Sequence, residues 1–253
     1  QIDDAIYEYT LSDDPTWNSV AISKDKSKVA LTTIEDDDKF IYVYDLINGK
    51  WQKFELYTPS TVEGDKSGEI LYADALEWDN NSEIIIFDQL NKISIGNSED
   101  LQYWDIGLMN IWDSENNKFD DGTILKLYEG IPENVNIGYP TFAKTTNNIV
   151  AFDYIELIDE EYYAYVVLLN IETSEFGYFD TNFPAVWSVP SFATLDNQVI
   201  YTDQDEDENL NIYSIEIENF ILPSENIRGL IPYADWGLWF NQGLRDFDRD
   251  GVL

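Results

Sequence analysis

At the end of the sequence Asp246, Asp248 and Asp250 alternate, and Gly251, Val252 and Leu253 follow. Alternating carboxylates, a glycine for a sharp turn and a backbone carbonyl just beyond it are the ligand set of a loop that wraps calcium. The metal candidates are the carboxylates of Asp246, Asp248 and Asp250 and the carbonyl of Val252, with Leu253 as apolar anchor. The closing acidic ligand would fall past Leu253, so the run reads as a calcium motif cut in two; the plainer alternative is an acidic tail. A second alternating run, Asp203, Asp205, Asp207 and Asn209, offers the same oxygens, but Glu208 stands where a tight loop wants glycine. Here the plainer alternative is a solvated hairpin tip.

Carboxylates combined with aromatic rings also suit sugars, whose rings stack on aromatic faces while carboxylates accept from their hydroxyls. Trp187 and Trp236 are the first ligand-binding candidates. Tyr103 and Trp104 are the next, because they lie in Asn91–Gly107, which reads as a long insertion. Trp112, Tyr139 and Trp239 read more simply as core between sheets. If the chain were an enzyme, a glycosidase using two carboxylates is the chemistry left open. Asp74, Asp153 and Asp235 are the candidates for that pair.

Composition closes other routes. The 253 residues contain no Cys and no His, which removes thiol and Ser–His–Asp catalysis, the usual zinc sites and any disulfide framework. Fifty acidic against 14 basic residues give a formal charge of −36. Nucleic acid, which is bound by cationic groups displacing counterions, is excluded as a partner, and anionic membrane surfaces are disfavoured. The charge suits either a solvated surface in salty water or cation binding. No apolar run approaches the about 20 residues of a membrane span, so membrane insertion is not expected. The opening QIDDAIYEYT lacks the pattern of a signal peptide; an exported protein with this opening would have its leader elsewhere.

The elements that must position these residues form a repeat. Ser19–Thr33, Ala73–Asp88, Gly138–Asp153 and Ser188–Asp203 each hold a short strand ending at Ile22, Trp78, Phe142 or Phe192. A polar turn follows, then a strand ending at Leu31, Phe87, Phe152 or Tyr201. The anchors recur roughly every 50 to 65 residues, the spacing of propeller blades. A second hairpin completes each unit: Phe40–Leu56 around Asn48-Gly49, Asp105–Tyr128, Tyr163–Asp180 and Leu210–Pro223. Between the hairpins lie acidic loops, Ile34–Phe40, Ile155–Tyr163 and Thr202–Asn211, expected on one face. The fold class is therefore all-β, a β-propeller of four-stranded antiparallel blades at about 17–56, 70–128, 137–180 and 187–223. Residues 1–14 and 231–240 read as parts of a fifth blade, and 241–253 as a linker with the truncated motif. Either blades are missing upstream, or the ring has five blades with one thin.

Val20–Leu31, Tyr139–Phe152 and Val189–Tyr201 resemble the WD40-like repeats of TolB-type propellers, with Pro140, Phe142, Pro190, Phe192 and Asp196 in place and Ser27 where glycine is usual. The resemblance covers roughly residues 17–240 and is nearly silent on function. DFDRDGVL resembles the start of a thrombospondin type-3 or EF-hand-like calcium repeat. Together these imply a non-catalytic extracellular or periplasmic recognition or scaffold module of a larger bacterial protein. Calcium is its implied cofactor, and a protein or glycan its implied ligand. Self-association through open blade edges is the remaining alternative.

Overall fold

The computed structural model describes residues 16–33, 35, 38–57, 61–62, 68–93, 100–128, 130–181, 187–218, 220, 222 and 226–238. Among these the chain is all-β, four antiparallel four-stranded sheets arranged as a four-bladed propeller. Blade 1 is β1 (Trp17–Ile22), β2 (Lys28–Thr33), β3 (Phe40–Asp45) and β4 (Lys50–Glu55). After β5 (Thr61–Val62), blade 2 is built from β6 (Gly68–Trp78), β7 (Ile84–Ile93) and β8 (Leu101–Asn110). A small hairpin, β9 (Trp112–Asp113) with β10 (Lys118–Phe119), precedes its outer strand β11 (Ile124–Lys126). β12 (Gly130–Ile131) pairs in parallel with β5. Blade 3 is β13 (Val135–Phe142), β14 (Ile149–Ile158), β15 (Glu161–Asn170) and β16 (Phe176–Asp180). Blade 4 is β17 (Ser191–Phe192), β18 (Gln198–Gln204), β19 (Leu210–Glu216) and β20 (Arg228–Pro232). The first strands meet in series along the axis, β1 with β6, β6 with β13 and β13 with β17.

The core lies between blades, and strand alternation explains how. On β7, Ile85 and Phe87 face blade 1, joining Ala30, Ile41, Val43 and Phe54, while Ile86 faces blade 3 with Val135, Ile137 and Phe152. On β14, Val150 and Phe152 face blade 2, and Ala151 faces Phe192, Val199 and Tyr201 of blade 4. A strand buried on both faces needs apolar residues at every position, which is why Ile84–Phe87 and Ile149–Phe152 read as continuous runs. Lys28, although 2% exposed, crosses from blade 1 to place its ammonium 4.6 Å from the centre of the Trp112 ring.

The turns that end the first strands tie the blades at one end of the axis. The Asp25 N–H donates to Ser82 Oγ at 3.0 Å, and Asn80 N–H to Asn147 Oδ1 at 2.8 Å. The amides of Lys144 and Thr145 donate to Asp196 at 2.5 and 2.8 Å. Glu77 is the hub. Its Oε1 lies 2.7 Å from Lys24 Nζ and 3.0 Å from Lys144 Nζ, and its Oε2 accepts from the Thr141 hydroxyl at 2.5 Å and the Phe142 N–H at 3.1 Å.

Three sequence expectations are corrected. Asn91–Gly107 is not mainly an insertion: Asn91–Ile93 and Leu101–Gly107 are paired strand. The expected acidic loop Ile155–Tyr163 is also strand, because large residues alternate along both arms. β14 and β15 stay paired to Ile158↔Glu161 and turn on Asp159 and Glu160, at φ 49° and 68°, the left-handed pair of a two-residue hairpin. Finally, Ile231 and Pro232 belong to the outer strand of blade 4, where Ile231 pairs with Ile212. That strand completes the blade.

Candidate functional site

The first strands of blades 1, 2 and 3 carry a register shift, between Trp17 and Val20, Ala73 and Leu76, and Gly138 and Thr141. A bulged residue loses its ladder partner, so its N–H needs another acceptor. The second strands supply one from the position just behind their large apolar anchor. Thr32, behind Leu31, accepts the Ser19 N–H at 3.2 Å, and Asp88, behind Phe87, accepts the Ala75 N–H at 2.7 Å. The same column reaches forward into the next repeat. Asp88 accepts the Tyr139 N–H at 2.9 Å, Asp153 the Val189 N–H at 2.9 Å, and Thr202 the Trp236 N–H at 3.0 Å.

Tyr139, Val189 and Trp236 share left-handed backbone, φ 49°, 50° and 56°. Such a conformation is costly for residues with a Cβ, above all a β-branched one, and the buried acceptors hold it in place. Trp236 therefore occupies the place that Tyr139 and Val189 hold in blades 3 and 4, although no further blade lies among the described residues.

These latches gather side chains at the end of the axis opposite the turns. The Tyr139 ring centre is 5.6 Å from that of Trp187, tilted by 51°, and 5.9 Å from that of Trp236, nearly edge-on at 61°. Trp187 lies close over Gly138, where a Cβ would stand 3.3 Å from its ring and 3.2 Å from Asp88 Oδ2. Trp236 keeps 59% of its surface exposed. From blades 1 and 2 come Asn18 and Asp74, joined by a 2.8 Å bond from Asn18 Nδ2 to Asp74 Oδ1. Asp235 accepts the Trp236 N–H at 2.8 Å.

The electrostatics of this mouth are one-sided. Burial, then the charges of Asp74, Asp88, Asp153 and Asp235, push the Tyr139 hydroxyl well above the ordinary phenol value. None of the ion pairs among the described residues involves those four carboxylates. Burial lifts Asp88 to about 7, with the nearby Asp74 charge adding to it against the amides of Tyr139 and Ala75. Burial lifts Asp153 to about 8 against the amides of Val189 and Ser188. Away from the mouth, in blade 2, burial also raises Asp105 to about 7. Its Oδ2 and the Oε1 of Gln89, directly opposite on β7, lack protein partners. One proton shared between those acceptors would satisfy both.

The structure thus brings Asp74, Asp153, Asp235, Trp187 and Trp236 to one place, with Tyr139, which sequence reasoning assigned to core. Asp153 is 2% exposed and committed to the backbone of blade 4, so its role is to join blades. Tyr103 is corrected: it is 1% exposed and packs in the core between blades 2 and 3. Trp104 packs edge-on against Tyr72 at 5.7 Å, within blade 2.

The Asp203–Asn209 run spans the end of β18 and the turn into β19. Asp203 is buried on β18, and the Asp205 carboxylate accepts the N–H groups of Asp207 and Asn209 at 3.0 and 2.9 Å and Asn211 Nδ2 at 2.9 Å. Those donors close a turn around the oxygens that a metal would need. Among the described residues no three acidic side chains converge as metal ligands would. Trp239 and Asp246, Asp248, Asp250 and Val252 lie outside the described residues, as does the expected strand at 1–14. Sequence reasoning missed Asp88 and Glu77. The first was findable, since Thr32, Asp88, Asp153 and Thr202 share one column of the repeat.

No family model matches the sequence, and no curated protein does. Solved structures share the fold. A prolyl endopeptidase aligns over 86% of this chain and 29% of its own, with 13% identity and a TM-score of 0.51. TolB of Acinetobacter baumannii aligns over 84% of this chain at 15% identity and TM-score 0.40, and a TolB-like protein of Agrobacterium tumefaciens over 79% at 9% and 0.44. The chain spans 56% and 58% of those two TolB structures, and the likeness to the prolyl endopeptidase speaks for the propeller fold alone.

Proposed function

We propose that this propeller is a non-catalytic recognition module that takes its ligand at the bulge end of the axis. The observation that carries this reading is the convergence of Tyr139, Trp187 and Trp236 with Asp74 and Asp235 at one end of the first strands. Rigid blades hold these groups, so a ligand meets a preformed surface. Against a glycosidase stand two of its three candidate carboxylates, since Asp153 is spent on the blade 4 backbone and Asp74 accepts from Asn18. An extracellular or periplasmic setting goes with this reading and rests on the acidic, cysteine-free composition.

The test is a glycan and peptide array probed with the parent protein, Trp236→Ala and a hairpin-tip control, Glu160→Gln. Ligands retained by the control and lost with Trp236→Ala support the mouth. Ligands indifferent to Trp236, or turnover of chromogenic glycosides abolished by Asp74→Asn, would replace the reading. Calcium is proposed separately for Asp246, Asp248, Asp250 and the Val252 carbonyl. A thermal melt in EDTA and then in millimolar calcium, at matched ionic strength, decides it: a raised midpoint supports a site, an unchanged one removes it.

A further inference from the structure

We propose that the mouth formed by Tyr139, Trp187, Trp236, Asp74 and Asp235 binds an alkylammonium group, the cation of a quaternary amine or of a lysine side chain. The inference rests on the mouth being the recognition site and adds the class of ligand. Two independent features favour it.

The first is the rings. Both indoles lie within 6 Å of the Tyr139 phenol, at 51° and 61° to it, Trp236 is 59% exposed, and the faces of such rings attract a poorly hydrated organic cation. The second is charge. Asp74 and Asp235 beside them join no ion pair among the described residues, whereas Glu77 at the other end of the same strands has two lysines. A neutral sugar would leave that imbalance in place, and a cation would relieve it.

The alternatives fit less well. A metal ion needs converging oxygens, and no three acidic side chains converge among the described residues. The oxygens nearest the rings are already engaged: Asp88 by Tyr139, Asp153 by Val189 and Asp235 by the Trp236 amide. What stays open to a ligand is the aromatic surface, set in a negative field.

The experiment is tryptophan-fluorescence titration with choline and with its uncharged isostere 3,3-dimethylbutan-1-ol, at constant ionic strength. Choline is expected to saturate, and the alcohol to bind at least about tenfold more weakly. Trp236→Ala and Asp235→Asn should each weaken choline by about fivefold or more, Trp236→Phe should restore most of the loss, and Glu160→Gln should change nothing. Because Trp236 is largely exposed, its truncation should leave the thermal midpoint in place, which circular dichroism checks. n-Butylammonium separates the sources: binding as tight as choline points to lysine side chains, weaker binding to quaternary amines. Equal binding of the isostere, no saturation, or indifference to Trp236 would overturn the proposal. A neutral glycan lost with Trp236→Ala would sink the cation and leave the recognition site standing.

Discussion

At the turn end of the axis Glu77 sits between two ammonium groups, Lys24 and Lys144, and accepts two further hydrogen bonds from blade 3. At the bulge end Asp88 and Asp153 perform the same mechanical task, joining one blade to the next, with backbone amides alone. Their chemistry diverges accordingly. Burial works on Glu77 too, but the Lys144 and Lys24 charges overcome it and hold its carboxyl below the ordinary value. Asp88 and Asp153 have no countercharge among the described residues, so burial wins and they reach about 7 and about 8. The turn end of β6 is thus a closed ionic joint. The other is an aromatic surface whose field is not balanced within the described residues, and a ligand is more useful there than a further joint.

Breaking the ionic joint should give the largest effect. Glu77→Gln removes the acceptor of two lysines and leaves both ammonium groups near each other and partly buried. Loss of one member of such a cluster costs about 3 kcal/mol. Asp153→Asn, by contrast, keeps an acceptor oxygen for the Val189 amide and removes only a charge that burial already disfavours, so it should cost under about 1 kcal/mol. Urea denaturation of the two variants measures both. Equal losses would mean that the two ends are held alike, and the contrast would fail.

The pH dependence sharpens the same contrast, because the two ends respond with opposite sign. A buried carboxyl whose folded value is raised contributes stability that is fully present below its unfolded value, about 4. That stability is lost as pH climbs through the folded value. For Asp88, Asp105 and Asp153 the window closes at about 7, about 7 and about 8. Glu77 and Asp25 are lowered: burial opposes both, but lysine charges on Glu77, and hydrogen bonds from Ser23, Ser27 and Lys28 on Asp25, outweigh it. Their stability is present above about 4 and lost as pH falls further.

Stability should therefore be greatest near pH 4 to 5 and fall by about 2 kcal/mol or more towards pH 8. Urea midpoints across that range, taken in high salt to mute the general repulsion of a −36 chain, measure it. Asp88→Asn with Asp153→Asn should flatten the slope. A flat profile in the parent protein would show that these carboxylates are ionised in the fold, and the account of the bulge end would fall with it.

The blade repeat was legible because burial on both faces forces a strand to be apolar throughout, and Ile84–Phe87 and Ile149–Phe152 announce that directly. The outer strand of blade 4 was not. Arg228–Pro232 is exposed along its whole length, so no alternation marks it, and its pairing with β19 decides it instead. The mouth was half legible. Trp187 and Trp236 stood out as aromatics placed just ahead of first strands, and Asp74, Asp153 and Asp235 as carboxylates near those strands. Tyr103 misled because the segment around it looked like a loop; once β8 runs from Leu101, alternation turns Tyr103 into the core. Glu77 was beyond reach, since one carboxylate among fifty acidic residues shows nothing of its burial, whereas Asp88 could be found by the column it shares with Thr32, Asp153 and Thr202. Only packing between blades separates the carboxyl that lysine charges hold down from those that burial raises.

The smallest expected change comes from Gly138→Ala, and it bears on the mouth more than on the fold. The added methyl would meet the Trp187 ring at 3.3 Å and Asp88 Oδ2 at 3.2 Å, so one of them must yield by a few tenths of an ångström. Asp88 is clamped by the amides of Ala75 and Tyr139, whereas Trp187 lies at the edge of the aromatic group. The indole should therefore tilt, at about 1 kcal/mol of overpacking cost. Its 51° contact with Tyr139 would change while the blade 2 to blade 3 latch stayed intact. Near-UV circular dichroism should register the moved indole, choline affinity should drop severalfold, and the urea midpoint should shift little. A large loss of stability with unchanged near-UV signal would show the reverse: Asp88 yields first, and the latch, not the ring, is the softer element of the bulge end.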